Sequence, residues 1–140
     1  MRKLLFLVAM LLPVAVSAVT YDVVPLPQSV DMQKGAPFIL DGSVQILSPV
    51  ELQQEADFLQ QYMEDMVGIK PSISQKREKK LRYIELSVSP KVSASEGYVL
   101  TINNKGITIQ GGSAAGVFYG IQTLRKSIDG LQPLPAVVIT

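Results

Sequence analysis

Two stretches of the chain repeat apolar residues every three to four positions, which is the spacing of a helix that buries one face. The first stretch, residues 49–67, overlaps a Ser-Pro-Val-Glu run at residues 48–51 that fits a helix-capping box. The second stretch covers residues 114–129. Gly68 and Gly130 stand where each helix should end, since glycine readily adopts the left-handed conformation of a helix stop. The spacing therefore predicts two amphipathic helices, at about 49–67 and 114–129.

Shorter stretches alternate apolar and polar side chains, which is typical of strands whose sheet is covered on one side only. The predicted strands span residues 38–40, 44–47, 83–88, 98–102, 107–110 and 136–139. A hairpin is expected where Asp41-Gly42 joins the first two strands, and a second where residues 103–106 join the fourth and fifth. Residues 21–30 contain two prolines, so they predict an edge strand or an extended arm. The polar, cation-rich residues 70–82 predict a solvated loop.

The order of these elements, with two helices inserted into a run of short strands, favours an α+β fold over strict alternation of strands and helices. We expect a mainly antiparallel or mixed sheet with the two α-helices packed on one face. At 140 residues the chain is long enough for one domain and too short for a barrel enzyme of about 250 residues.

The composition removes several kinds of chemistry. The chain contains no His, no Cys and no Trp. It therefore cannot build a Ser-His-Asp triad, a thiolate nucleophile or a cysteine–histidine zinc site. Only carboxylates, lysines and tyrosines remain as acid–base catalysts. The sequence gives no sign that the acidic residues of the first helix converge with those elsewhere.

The N-terminus is predicted to be a secretory signal peptide. Two basic residues precede an apolar run at residues 4–12, and small residues at 16–18 suit a signal peptidase. We expect cleavage after Ala18, so that residues 1–18 form the signal peptide and residues 19–140 the exported domain. Nine apolar residues are too few to span a bilayer, so no membrane span is expected after cleavage. The predicted location is the periplasm or the outside of the cell.

The expected exported domain is almost neutral. Without the two basic residues of the signal peptide, the 13 basic side chains become 11, against 12 acidic ones, so the formal net charge is −1. That value gives no electrostatic reason to expect a nucleic-acid partner.

A glycine-rich segment, residues 111–116, joins a predicted strand to the second helix and invites comparison with nucleotide-binding loops. Its spacing does not match G-x-G-x-x-G, and no lysine stands where a Walker loop needs one. A tight turn into a helix that packs closely on the sheet explains the glycines better. Gly116 and Gly120 are interpreted in the same way. No catalytic, cofactor-binding or metal-binding residue is predicted.

Five segments stand out for their order along the chain: Val24–Pro27, Glu96–Ile102, Gly106–Ile109, Gly116–Leu124 and Leu134–Ile139. Together they resemble the N-terminal domain of bacterial β-N-acetylhexosaminidases, glycoside hydrolase family 20. The fourth segment, GVFYGIQTL, follows a Gly-Ile-Thr-Ile strand and is the most specific of the five. The resemblance covers essentially the whole expected exported domain, and it implies the same α+β architecture.

In that family the domain implied by the resemblance is not catalytic, and it packs against a (β/α)₈ barrel that follows it. The barrel carries an Asp-Glu pair that cleaves the glycosidic bond with the help of the substrate's own acetamido group. This pair has no counterpart in the sequence. The chain alone is therefore not expected to be an enzyme, and no cofactor is implied.

The resemblance implies an accessory domain of an exported β-N-acetylhexosaminidase, with a structural role beside the barrel and a further contact with the glycan. The residues expected to pack against the barrel are Val24, Leu26, Val117, Phe118, Tyr119 and Ile121. The alternative is a free-standing exported module that binds a glycan or a protein. A glycosidase in miniature fits the available residues least.

Overall fold

Seven strands form one mixed sheet in the computed structural model, which describes residues 26–130 and 133–140. In chain order they are β1 Val30–Met32, β2 Val44–Leu47, β3 Ser72–Ser74, β4 Arg82–Val88, β5 Tyr98–Ile102, β6 Gly106–Gly111 and β7 Val137–Ile139. Across the sheet they lie in the order β1-β7-β5-β6-β4-β2-β3. The predicted signal peptide, its cleavage site after Ala18, and Val24 lie outside the described residues.

Strand β6 joins an antiparallel half of the sheet to a parallel half. It pairs antiparallel with β5. On the far side of β5, β7 pairs with β5 and β1 pairs with β7, both antiparallel. On its other side β6 pairs parallel with β4, which is followed by β2 and β3. The predictions of a mixed sheet and of a hairpin at residues 103–106 are therefore confirmed.

In the described part of the chain, two α-helices cover one face of the sheet. A 3-10 turn, Val50–Leu52, leads into α1, Gln53–Val67, and α2 spans Ala114–Gly130. Gly68 ends α1 with a left-handed φ of 74°, as predicted. Helix α2 contacts β4, β5 and β6, whereas α1 contacts α2 and β3. This arrangement confirms the predicted α+β fold.

The covered face of the sheet is a continuous layer of aliphatic side chains. Ile46, Ile84, Ile107, Ile102 and Val137 are register partners across five adjacent strands, and none is more than 1% exposed. Apolar residues of both helices complete this core. Since successive side chains of a strand point to opposite faces, one buried layer produces the alternation seen in the sequence.

The start of α1 differs from the sequence prediction. The capping box predicted at residues 48–51 is wrong, because no side chain caps the backbone N–H groups there. The Ser48 hydroxyl instead donates to the carbonyl oxygens of Pro49 and Leu52, at 3.1 and 3.2 Å. The chain enters through a 3-10 turn, and the α-helix begins at Gln53.

The hairpin predicted at Asp41-Gly42 is also wrong. Phe38 pairs with the distant Leu134 through two backbone hydrogen bonds of 2.8 and 3.0 Å. The Asp41 carboxylate accepts the Ser43 backbone N–H at 2.9 Å and pairs with Arg82 at the start of β4. This turn directs β2 into the parallel half of the sheet. All four residues of β2 are buried. On the side away from Ile46, the Gln45 side chain bonds to the backbone C=O and N–H of Glu78 at 3.0 and 3.2 Å, so the loop at Glu78 covers it.

Both edges of the sheet are short strands. The solvated loop predicted over residues 70–82 contains an unpredicted strand, β3, which pairs parallel with β2. Three residues are too few to show a periodic pattern. The charged residues 76–80 that follow are exposed, as expected. At the opposite edge, β1 begins at Val30, the last residue of the segment predicted as an edge strand or arm.

Helix α2 approaches the sheet closely because it has glycines where the two meet. A Cβ at Gly116 would overlap the carbonyl oxygen of Gly97, and a Cβ at Gly120 would overlap the side chain of Ile109. Both glycines are buried. The interpretation of these small residues as packing residues is therefore confirmed.

Replacing Gly116 with Ala is expected to destabilise the domain by about 1–3 kcal/mol, because the new methyl group meets backbone atoms that cannot rotate away. Helix propensity alone predicts the opposite sign, since Ala is about 1 kcal/mol better than Gly in a helix. Gly42→Ala is the control, because a Cβ at Gly42 meets no atom within 4 Å. Urea unfolding measures both variants. A Gly116→Ala protein as stable as the wild type would contradict the close approach.

Candidate functional site

The segment that joins β6 to α2 leaves no room for an anion. The Gly112 N–H donates to the carbonyl oxygen of Gly97 at 3.0 Å, and the Ser113 hydroxyl donates to that of Ser95 at 2.6 Å. These oxygens carry partial negative charge and lie where a phosphate would approach the helix N-terminus. The loop of residues 94–97 therefore occupies the place that a nucleotide-binding loop would keep open.

The acidic residues of the described part are spread over several surface clefts. Three of its surface clefts contain one carboxylate side chain each, those of Glu96, Glu85 and Asp65. Glycoside cleavage by side chains needs two carboxyl groups about 5–10 Å apart. No group of three or more His, Cys, Asp or Glu residues in the described ranges could hold a metal ion. Within the same ranges, no helix combines the length and apolar character needed to cross a bilayer.

The outer surface of the two helices carries a patch of large apolar and aromatic side chains. The ring centroids of Phe58 and Phe118 are 5.2 Å apart, and those of Phe118 and Tyr119 are 6.1 Å apart. Met66 is 66% exposed and Phe118 is 37% exposed. Phe58 and Tyr119 are half-buried beside the core. Large exposed apolar surfaces mark interaction sites. We define the helix patch as Phe58, Tyr62 and Met66 of α1 together with Phe118, Tyr119 and Arg125 of α2.

Helix α1 presents Phe58, Tyr62 and Met66 at intervals of four residues, so they form a stripe along one side of the helix. This stripe lies beside the one that faces the core, and Tyr62 belongs to both, since it is only 6% exposed. The sequence analysis missed the outer stripe. The available signal was the unusually broad apolar arc that the two stripes form together.

Arg125 lies against two of these rings. Its guanidinium carbon is 4.4 Å from the ring centroid of Tyr62 and 5.1 Å from that of Phe58. A cation over an aromatic face is attracted by the ring quadrupole. The Nη1 of Arg125 also donates to Oε1 of Gln122 at 2.8 Å. These contacts hold the guanidinium in one place between α1 and α2.

The Tyr62 hydroxyl links α1 to α2. It donates to Oδ1 of Asp129 and lies 3.3 Å from the backbone carbonyl oxygen of Arg125. Burial, followed by the hydrogen bond to the Asp129 carboxylate, raises the pKa of Tyr62 from 10.0 to about 12. Tyr62 therefore remains a neutral hydrogen-bond donor at physiological pH.

Two of the residues predicted to pack on a barrel, Phe118 and Tyr119, lie on the helix patch. Val117 and Ile121, in contrast, are 0% exposed and pack in the domain's own core, so they have no free surface for a second domain. Helical periodicity is the reason, because residues 117 and 121 face the sheet whereas residue 118 points away from it.

Leu26 lies in a different place. It is 72% exposed and lines a cleft of about 450 Å³ with residues 91–94 and Thr140, and that cleft contains no residue of the helix patch. Val24 lies outside the described residues. The packing of Leu26 and Val24 on a barrel remains a prediction.

Comparisons with known proteins agree with this architecture. The family model described as glycosyl hydrolase family 20, domain 2, matches residues 20–140. No curated protein matches the chain. Among solved structures, the chain is similar to the GH20 β-N-acetylhexosaminidase from Streptomyces coelicolor A3(2), with 28% identity, a TM-score of 0.64 and coverage of 82% of this chain.

More distant structures share the fold. The β-N-acetylhexosaminidase from Bacteroides fragilis NCTC 9343 is 21% identical, with a TM-score of 0.63 over 84% of this chain. The GH20 exo-β-N-acetylglucosaminidase from Vibrio harveyi is 17% identical, with a TM-score of 0.66 over 82% of it. The match covers 24% of the Streptomyces protein, 24% of the Bacteroides protein and 18% of the Vibrio protein. The chain thus spans a quarter or less of these relatives.

Tyr62→Phe is expected to lower the free energy of unfolding at neutral pH by about 1–2 kcal/mol, because the Asp129 carboxylate loses its donor. The folded protein holds the Tyr62 proton more tightly than the unfolded chain does. The stability that Tyr62 contributes is therefore present below its ordinary pKa of 10.0 and is lost as the pH rises through about 12.

Urea unfolding at a series of alkaline pH values measures this loss, which should be smaller in Tyr62→Phe than in the wild type. Tyr119→Phe is the matched control, since it removes a tyrosine hydroxyl of the same helix patch without touching the bond between Tyr62 and Asp129. Identical pH dependence in the two variants would contradict the role of the Tyr62 proton.

Proposed function

The chain belongs to domain 2 of glycosyl hydrolase family 20, and from that premise we propose that it is the accessory domain of an exported β-N-acetylhexosaminidase. In this proposal a (β/α)₈ barrel of the same protein hydrolyses terminal N-acetylhexosamine residues of glycans. The domain described above has a structural role. The observation that carries the proposal is the family match over residues 20–140.

The relatives support a structural role for this domain and a catalytic role for another domain. They are β-N-acetylhexosaminidases and β-N-acetylglucosaminidases, and the Vibrio harveyi structure is a complex with N-acetylglucosamine. This chain matches a quarter or less of each of them. The three clefts described above contain one carboxylate each, which favours placing the hydrolytic residues in another domain.

The helix patch is the surface we propose for the contact with the barrel. Phe118 and Met66 expose apolar area to water, and covering that area contributes about 25 cal/mol per Å². Aromatic residues, Met and Arg are also the residue types enriched at the centres of protein interfaces. The patch contains all of these types within one surface that spans both helices.

Export is a separate part of the proposal. It is supported by the N-terminal sequence, where a basic start, a short apolar run and small residues precede the expected cleavage after Ala18. The mature protein would then act in the periplasm or outside the cell, where glycans are accessible.

The purified chain should not hydrolyse a chromogenic N-acetyl-β-glucosaminide, since it brings no two carboxylates to one of the clefts described above. The complete Streptomyces coelicolor relative is the positive control for the assay. Calorimetry with N-acetylglucosamine tests the alternative, because binding by the chain alone would favour a free-standing glycan-binding module. Turnover above the enzyme-free blank would overturn the structural role.

Phe118→Asp should weaken the contact between this domain and a catalytic domain by about 2 kcal/mol or more, because it replaces apolar contact with a charge. The test joins the chain to the Streptomyces coelicolor catalytic domain, in place of the segment that the chain resembles. Scanning calorimetry should show that the fused domain unfolds at a higher temperature than the isolated chain, since docking stabilises the folded state.

Phe118→Asp should remove that gain in unfolding temperature. Ile39→Asp is the matched control, because Ile39 is 55% exposed and lies outside the helix patch. A gain that survives Phe118→Asp but disappears in Ile39→Asp would show that the contact lies on another surface.

A further inference from the structure

Arg125 is held in place, yet most of its hydrogen-bond donors have no partner within the described part of the chain. An arginine has five N–H donors, and here Nη1 donates to Gln122. In the described part of the chain, Nε of Arg125 is buried and has no hydrogen-bond partner. The ion pairs of that same part join Lys70 to Glu64 and Arg82 to Asp41. No described carboxylate therefore lies within ion-pair distance of Arg125.

Two acidic side chains border the same surface, and each has a donor of its own. Asp129 accepts the Tyr62 hydroxyl, and Oδ1 of Asp65 accepts the side-chain amide of Gln61 at 2.9 Å. Both aspartates are exposed, so water also solvates their carboxylates. Neither aspartate neutralises the guanidinium by direct pairing.

A small cleft opens between the helices beside the guanidinium. Its volume is about 230 Å³, and its lining residues are Phe58, Gln61, Tyr62, Asp65, Met66 and Arg125. Sites for small organic ligands are usually larger, about 300–1,000 Å³. The space suits a single inserted side chain.

We propose that Arg125 binds the carboxylate of an Asp or Glu side chain on the catalytic domain, an inference that rests on the proposed function above. When a second domain covers the helix patch, water leaves the half-buried guanidinium, and an unpaired buried charge is strongly unfavourable. A covering surface that supplies an anionic acceptor avoids this cost. A carboxylate does so with two oxygens, which match the planar donor groups of arginine.

The same arrangement makes the contact selective. Asp65 and Asp129 repel an acidic group that is not aligned with Arg125. Long-range electrostatic attraction alone therefore cannot hold an acidic partner, and the direct contact with Arg125 is needed. The rings of Phe58 and Tyr62 hold the guanidinium, and this restricts the direction from which the carboxylate can approach. A lysine at position 125 lacks both the planar donors and the stacking. Arg125 therefore fixes the position of one domain relative to the other.

The fusion with the Streptomyces coelicolor catalytic domain tests this contact. The measured quantity is the gain in unfolding temperature of the fused domain over the isolated chain. The variants are Arg125→Gln, Arg125→Lys and, as the matched control, Lys126→Gln. Lys126 is the next residue, carries the same charge, and is exposed outside the helix patch. Each variant is also measured as the isolated chain, so that a change in the domain's own stability is subtracted.

We expect Arg125→Gln to lose most of the gain, Arg125→Lys to recover little of it, and Lys126→Gln to behave as the wild type. If Arg125→Gln keeps a gain that Phe118→Asp loses, the carboxylate contact is refuted while the docking surface stands. If the wild-type fusion shows no gain at all, the proposed function fails, and the Arg125 contact with it.

Discussion

The close packing of α2 on the sheet is the constraint on which the rest of the structure depends. Gly116 and Gly120 allow the helix to approach the loop of residues 94–97 and the side chains of the central strands. This approach buries the inner side of the helix, including Val117 and Ile121. The side chains that remain for any partner are those on the outer side. The packing of the helix on the sheet therefore decides which side chains form that outer surface.

Helix α1 completes this surface through contacts that join the two helices. The Tyr62 hydroxyl bonds to Asp129, and the guanidinium of Arg125 stacks on the Phe58 and Tyr62 rings. The helix patch therefore belongs to neither helix alone. Because its polar groups are tied to one another across the helix pair, the surface is preorganised, and a partner need not order it on binding.

The exposed apolar side chains of this domain are concentrated on the helices, and its described clefts are lined differently. The loop of residues 94–97 fills the helix N-terminus where an anion would bind. The clefts described above hold one carboxylate each, and the exposed aromatic side chains cluster on the helices. This arrangement is consistent with the proposed accessory role, in which the domain contacts a neighbouring catalytic domain through the helix patch.

The sequence alone determined the two helices, the β5–β6 hairpin and the family resemblance, because periodicity, turn residues and short motifs are local properties of the chain. Only the tertiary structure decided that β2 pairs with β3 and β4, since those partners are distant in sequence and the Asp41 turn directs the chain toward them. For the helix patch, Phe118 and Tyr119 were predicted, but Phe58 and Arg125 were not. The contact between Phe58 and Arg125 depends on how α1 lies against α2. The spacing of residues within one helix carries no information about that contact.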